Sequence, residues 1–178
     1  YSSASSDVYK RQGIDDAFAL AYVACRDDVE TVGVVTTAGN VGQDDVLRNA
    51  LGVTDLLGMG VPVARGADVP LVEPLMTAEE THGPHGLGHA VLGECGRHPD
   101  SRSGAQLWVD LARQYPGKLV GIVTGPLTNL ALALREEPEL PRLLRGLHVM
   151  GGAINYRGNT GPTSEWNIAV AVSYTHLR

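Results

Sequence analysis

Apolar residues recur at helical spacing from Ile14 to Cys25, give way to a β-branched run over Glu30–Thr37, and return at helical spacing from Asp44 to Leu57, where Gly58 supplies a stop. A short strand is predicted around Val61–Ala64, followed by a Pro/Gly/His-rich loop from Pro70 to Pro99. Helix is predicted again over Gln106–Tyr115, strand over Lys118–Thr124, helix over Leu127–Arg135 and strand over Gly146–Met150, which runs into Gly151 and Gly152. Helical periodicity alternating with short buried-strand runs marks a parallel sheet with crossover helices. The expected fold class is α/β, a mainly parallel sheet flanked by helices.

The two ends break this pattern. Central parallel strands are near-continuous Val/Ile/Leu runs, and residues 1–12 contain almost none, so no first strand is expected there. The segment Ala171–Arg178 breaks off without a helix or a cap. Both ends resemble short translated artefacts, of the SSASSDVYKRQ and VSYTHL type, that flank fragmentary environmental reading frames. The expected organisation is a non-native leader over residues 1–12, a partial domain over 13–170 and a non-native tail over 171–178. A sheet lacking its first strand would expose edges and apolar faces, so poor solubility is expected.

Composition narrows the class. With 43% apolar and 19% charged residues in 178, the chain can build a real core. A formal net charge of −6 leaves no basic stripe to neutralise phosphates, which argues against nucleic acid or an anionic membrane surface as partner. Cys25 and Cys95 stand without a CxxC or Cys/His pattern, so neither a disulfide framework nor a zinc knuckle is indicated, and a cytoplasmic setting is expected. No apolar run is long enough to span a membrane, and the polar N-terminus lacks the apolar core of a signal peptide.

Ligands of open α/β sheets bind beyond the carboxyl ends of the strands. The polar residues just after the predicted strands are therefore the ones to watch: Thr37 and Asn40, Thr124 and Asn129, and the segment 151–167, together with Asp15 and Asp16 at the first helix start. Adjacent carboxylates at a helix start are favoured by the helix dipole, yet they repel one another unless a cation or a polyol lies between them. The bland alternative is a helix-capping charge effect. His82, His85 and His89 could be imagined as zinc ligands, but Gly83, Gly86 and Gly88 work against a rigid presentation of the imidazoles. Neither GxGxxG nor GxxxxGK[ST] is present, so no dinucleotide or P-loop site is indicated. His98 and His148 read as surface or packing residues.

Six stretches, taken in order and spacing, carry a more specific signal: Gly13-Ile14-Asp15-Asp16-Ala17, Thr36-Thr37-Ala38-Gly39-Asn40-Val41, His82-Gly83-Pro84-His85-Gly86-Leu87-Gly88, Thr124-Gly125-Pro126-Leu127-Thr128-Asn129-Leu130, Val149-Met150-Gly151-Gly152 and Glu165-Trp166-Asn167-Ile168. Together they resemble the inosine-uridine-preferring nucleoside hydrolase family over residues 13 to about 170, the N-terminal half or slightly more of such an enzyme. The resemblance implies a truncated, Rossmann-like α/β domain that binds one Ca²⁺. It implies hydrolysis of the N-glycosidic bond of ribonucleosides to ribose and free base, in a protein that is commonly a homo-oligomer.

The chemistry accounts for these residue types. A departing nucleobase leaves an oxocarbenium-like ribose, and the attacking water needs a metal and a nearby carboxylate. Ca²⁺ takes hard oxygen ligands, including sugar hydroxyls. By resemblance, Asp16 is a catalytic metal-ligating carboxylate, and Asp15 belongs to the metal site too and holds a ribose hydroxyl close to the metal. Thr124 is a metal ligand through its backbone carbonyl. Asn40, Asn159, Glu165 and Asn167 are implied to bind ribose, Met150 to make an apolar substrate contact, and His82 to sit on a flap that approaches the nucleoside. The spacing from Met150 to Asn159 is one residue longer than is usual in the family, and His85 stands where an acid or a polar residue is more usual.

The chain also departs from the family at its start, which usually reads Asp-x-Asp-Pro-Gly. Arg11 stands where the second Asp, a metal ligand and the presumed base, is expected; Gln12 replaces the proline and Tyr9 the first Asp. A guanidinium there repels Ca²⁺ and cannot serve as a base near neutral pH. The family's late His-Asp pair falls in a C-terminal portion beyond these residues. The 178-residue chain is therefore expected to be inactive as written. Two alternatives stand beside the enzyme reading: a non-catalytic ribose or nucleoside-binding module, and a hydrolase of another ribosyl compound.

Overall fold

The computed structural model describes residues 4–10, 13–72, 74–93 and 95–171. Strands β1 (Ala4–Lys10), β2 (Val29–Thr36), β3 (Val63–Arg65), β4 (Asp100–Ser103), β5 (Val120–Val123) and β6 (Gly146–Val149) form one six-stranded sheet in the order β4-β3-β2-β1-β5-β6. Every neighbouring pair is parallel. The helices are α1 (Ile14–Ala24), α2 (Gln43–Leu56), α3 (Glu79–His82), α4 (Gly104–Gln114), α5 (Thr128–Glu136), α6 (Leu140–Leu143) and α7 (Trp166–Val170).

The sequence pattern predicts no strand before residue 13, and the structure corrects this. β1 occupies the centre of the sheet, with Val8, Tyr9 and Lys10 in register with Val34, Val35 and Thr36 of β2. On its other edge Ser6 to Tyr9 run beside Val120 to Val123 of β5. A strand between two partners takes its ladder hydrogen bonds from backbone groups, which Ser and Asp supply as well as Val does. The apolar runs that normally mark a central strand belong here to its neighbours. With β1 in place there is no gap between β2 and β5, so the edges expected from a missing strand do not arise there.

Helices cover both faces of the sheet, and β2 shows the division at adjacent residues. Val34 packs with Leu20 of α1 and Ala50 and Val53 of α2, whereas Val35 packs with Leu107 and Trp108 of α4 and Leu130 of α5. That is the period of two expected of a strand buried on both sides. Trp108 is fully buried, and Gly121 of β5 makes room for it: a Cβ there would lie 2.5 Å from the indole. Each such fully buried large side chain contributes about 1.5–3 kcal/mol relative to exposure.

Boundaries elsewhere follow local chemistry. α4 begins two residues earlier than the apolar periodicity predicts, because Ser103 and Gln106 cap it reciprocally: the Gln106 N–H donates to Ser103 Oγ (3.2 Å) and the Ser103 N–H to Gln106 Oε1 (3.0 Å). α2 ends against Arg97, which donates to Thr54 Oγ1 and to the carbonyls of Met59 and Val61. β4, α3, α6 and α7 are not predicted from the sequence; each has five residues or fewer, too short for periodicity to register. Residues 172–178 of the expected tail lie outside the described residues.

Candidate functional site

Because all six strands are parallel, their carboxyl ends share one rim, and the predicted site residues lie along it. The first group gathers at Gly13, the N-cap of α1. The Gly13 N–H donates to Asp16 Oδ2 (2.9 Å), so the buried Asp16 carboxylate caps its own helix from the third position. Asp15 is exposed beside it. A Cβ on Gly13 would lie 2.8 Å from Asn40 Nδ2, 2.9 Å from Asp15 Oδ1 and 3.0 Å from His82 Cε1. Residues from the starts of α1 and of the loop after β2, and from the end of α3, thus converge on one glycine.

Asn40 is 1% exposed, and its Oδ1 has no hydrogen-bond partner. An orphaned buried acceptor costs about 1–3 kcal/mol and calls for a ligand or a water. The Asn40 carbonyl accepts the Ala78 N–H (2.9 Å), which ties the loop after β2 to the residue that caps α3, the helix ending in His82. The glycine-rich turn beyond His82 is anchored too. Asn49 Nδ2 of α2 donates to the His85 carbonyl (2.6 Å), and His85 Nδ1 lies 3.2 Å from Asp45 Oδ1. The His85 ring therefore faces α2. His98 and His148 are exposed.

A second group forms past β5 and β6. Asn167, 2% exposed, donates through Nδ2 to the carbonyls of Thr124 and Met150, both at 3.0 Å, and its Oδ1 is buried without a partner. Its amide therefore bridges the ends of two adjacent strands. Met150 is 46% exposed, and its Sδ lies 3.4 Å from the same nitrogen.

Glu165 and Asn159 shape the segment leading into α7. Glu165 is the N-cap: its carboxylate accepts the N–H groups of Asn167 (3.1 Å), Ile168 (3.1 Å) and Gly152 (3.0 Å). Asn159 Oδ1 accepts the Trp166 N–H (2.8 Å). Asn159, Trp166, Thr81 and His82 line one 400 Å³ cavity, which brings the α3 end and the α7 start to the walls of the same space. Its volume falls within the span of small-molecule sites. Thr81, Glu80 and Trp166 in that wall were not singled out by the sequence pattern; the position of Trp166 between Glu165 and Asn167 was the available signal.

The candidate donors to a cation are all oxygen: the Asp15 and Asp16 carboxylates and the Thr124 carbonyl. Such a set suits a hard ion such as Ca²⁺ and not a soft one. Among the described residues no three His, Cys, Asp or Glu side chains group as a metal site. The position of Arg11 lies outside the described residues.

A profile of the family described as inosine-uridine preferring nucleoside hydrolase matches residues 12–172. The chain belongs to this family. It is 36% identical over 159 residues to the pyrimidine-specific ribonucleoside hydrolase of Citrobacter koseri, covering 89% of this chain and 51% of that protein. It is 36% identical over 168 residues to the inosine-uridine preferring nucleoside hydrolase of Crithidia fasciculata, covering 93% of this chain and 53% of the relative. Among solved structures, the purine-preferring ribonucleoside hydrolase from Gardnerella vaginalis superposes with a TM-score of 0.89 at 30% identity, over 93% of this chain and 54% of that one. The chain spans about half the length of the curated relatives it matches. Nucleoside hydrolases use a metal ion, and these relatives are named for action on ribonucleosides. No helix among the described residues is long and apolar enough to cross a membrane.

Proposed function

We propose that this chain carries the ribose-facing wall of a nucleoside hydrolase, a protein that hydrolyses the N-glycosidic bond of ribonucleosides to ribose and free base. The observation that carries the reading is that, among the described residues, the amide oxygens of Asn40 and Asn167 at the carboxyl-end rim are buried without a partner, as is Gln43 Oε1 beside Thr36. Two such acceptors match the hydroxyl donors of a bound sugar and do not match an apolar ligand.

In this reading Asp15 takes a ribose hydroxyl and Asn40 and Asn167 orient the ring. Glu165 and Asn159 shape the outer wall, with Met150 and His82 as substrate contacts. Asp16, Asp15 and the Thr124 carbonyl would hold a Ca²⁺ ion, which when bound supplies Lewis acidity to an attacking water. Asp16 would serve the ion through the same carboxylate that accepts the Gly13 N–H. Held this way, the sugar keeps its anomeric carbon at a fixed place while charge develops on the ring, which is the positional part of catalysis.

Arg11, in the place of the family's base, leaves the chain as written without turnover, and for it the binding-module description applies. Both cysteines are free, which suits a reducing cytoplasm. Oligomerisation is supported by the apolar side chains that α1 and α2 leave outward, Phe18 at 72% and Leu56 at 77% exposed.

The test is an Arg11→Asp, Gln12→Pro chain joined to the C-terminal half of the Crithidia fasciculata relative and assayed for base release from inosine and uridine. Chelator-sensitive release at a rate well above that of the Arg11 form is expected. A folded repaired protein with no release overturns the enzyme reading.

A further inference from the structure

We propose that Asn129 is a positioning residue for the site, setting the aim of Asn40 from the start of α5; this rests on the reading of Asn40 as a ribose contact. Asn129 stands in the first turn of α5 and is 1% exposed. A helix-start amide ordinarily bonds its own turn. This one bonds across the fold: Nδ2 donates to the Thr36 carbonyl (3.0 Å), 93 residues away, and Oδ1 accepts the Ala67 N–H (2.8 Å), 62 residues away.

Both contacts converge on the four residues that deliver Asn40. Thr36 ends β2, and the carbonyl of Ala67 accepts the Ala38 N–H (3.3 Å). The backbone is thus held by Asn129 directly at residue 36 and through Ala67 at residue 38, on either side of Thr37. Asn40 Oδ1 has no hydrogen bond of its own, so its placement depends on where that backbone runs. The Asn40 carbonyl then carries the constraint to Ala78 and so to the helix that ends in His82. A single buried amide therefore lies upstream of two of the proposed ligand contacts.

Space is cleared for this amide by glycines on two other segments. A Cβ on Gly66 would fall 1.8 Å from the Thr36 carbonyl oxygen and 2.4 Å from Asn129 Nδ2, and one on Gly104 would fall 3.2 Å from Asn129 Oδ1. Gln43, from the start of α2, completes the enclosure by donating to Thr36 Oγ1. The carboxyl end of β2 is consequently held by two helices, α2 and α5, and by the loop after β3.

The experiment compares the side-chain amide signals of Asn40 in the ¹⁵N-labelled full chain, assigned by their loss in Asn40→Ala, among wild type, Asn129→Ala, Asn129→Ser and Leu140→Val. Leu140 is fully buried at α6 and bonds to none of these groups, so its variant reports destabilisation alone. We expect the Asn40 signals to move in both Asn129 variants and to stay in place in Leu140→Val, with inosine affinity about tenfold weaker in the Asn129 variants only. In wild type, reciprocity requires inosine to slow hydrogen exchange at the Ala67 N–H. That measurement decides the matter if neither variant folds. Unmoved Asn40 signals in a folded Asn129 variant, or unchanged Ala67 exchange in the inosine complex, overturn the proposal. A wild type that does not bind inosine overturns the ribose reading instead, and the ligand-free Asn40 signals then decide this inference alone.

Discussion

Gly13 and Asn40 meet so closely that a single methyl group cannot enter between them: a Cβ on the glycine would sit 2.8 Å from the Asn40 amide nitrogen. The same position is hemmed by Asp15 and His82, so relief in one direction worsens another. Gly13→Ala is expected to cost about 1–3 kcal/mol of stability through overpacking. It is also expected to weaken inosine binding more than its effect on melting accounts for. Thermal melts with parallel inosine titrations check this; an alanine variant with wild-type affinity would show that the cluster is not the ligand site.

Glu165 organises the last helix through three backbone N–H groups, from Gly152, Asn167 and Ile168. Glu165→Ala removes all of them and should destabilise by about 1–2 kcal/mol, the usual cost of a lost N-cap. Glu165→Gln keeps one carbonyl oxygen and should lose less. Hydrogen exchange at the three amides should accelerate in the order wild type, Gln, Ala.

Much of this arrangement was legible in the sequence, for reasons that particular residues show. α1, α2 and α4 announce themselves through apolar spacing, and β2 through its β-branched run, because those elements bury one stripe or two faces. β1 was illegible because its place is fixed by ladders to β2 and β5 and not by its own side-chain pattern. The polar strand β4, at the sheet edge with alternate residues exposed, carries no apolar signal either. The site shows the same split. Among the candidate residues, Asp15, Asp16, Asn40, Glu165 and Asn167 follow from sequence motifs, whereas Asn49 and Thr81 reach the candidate site through contacts that only the fold creates.

Stability should carry a small acid-sensitive contribution from Asp100. The Arg102 guanidinium, 2.8 Å away, holds this carboxyl below the usual carboxylate range, and the Arg102 N–H adds to the effect. A folded-state pKa below the unfolded one means the unfolded chain binds the proton more readily. The contribution is therefore complete above about pH 5, where the unfolded carboxyl is ionised, and fades as pH falls through the lowered folded value. Melting temperatures of wild type and Asp100→Asn should differ at pH 7 and converge toward pH 3. A constant difference across that interval would assign the effect to packing.

Gly66 is tightly crowded at the rim, since its Cβ would overlap the Thr36 carbonyl at 1.8 Å. That atom is backbone at the end of a central strand and cannot swing aside. Gly66→Ala should cost more than Gly13→Ala, about 3 kcal/mol or above, and should lower the soluble yield. Denaturant titration of the two variants side by side tests the ranking.

In the proposed function the amide oxygens of Asn40 and Asn167 accept the hydroxyls of a ribose beside a Ca²⁺ site. Isothermal titration of inosine into the 178-residue chain in millimolar CaCl₂ tests it most directly, repeated with a chelator and with Asn40→Ala and Asn167→Ala. One saturable site is expected, competed by D-ribose and weakened about tenfold or more by the chelator and by either substitution. Absence of saturable binding, or binding that is indifferent to both amides, would contradict the account.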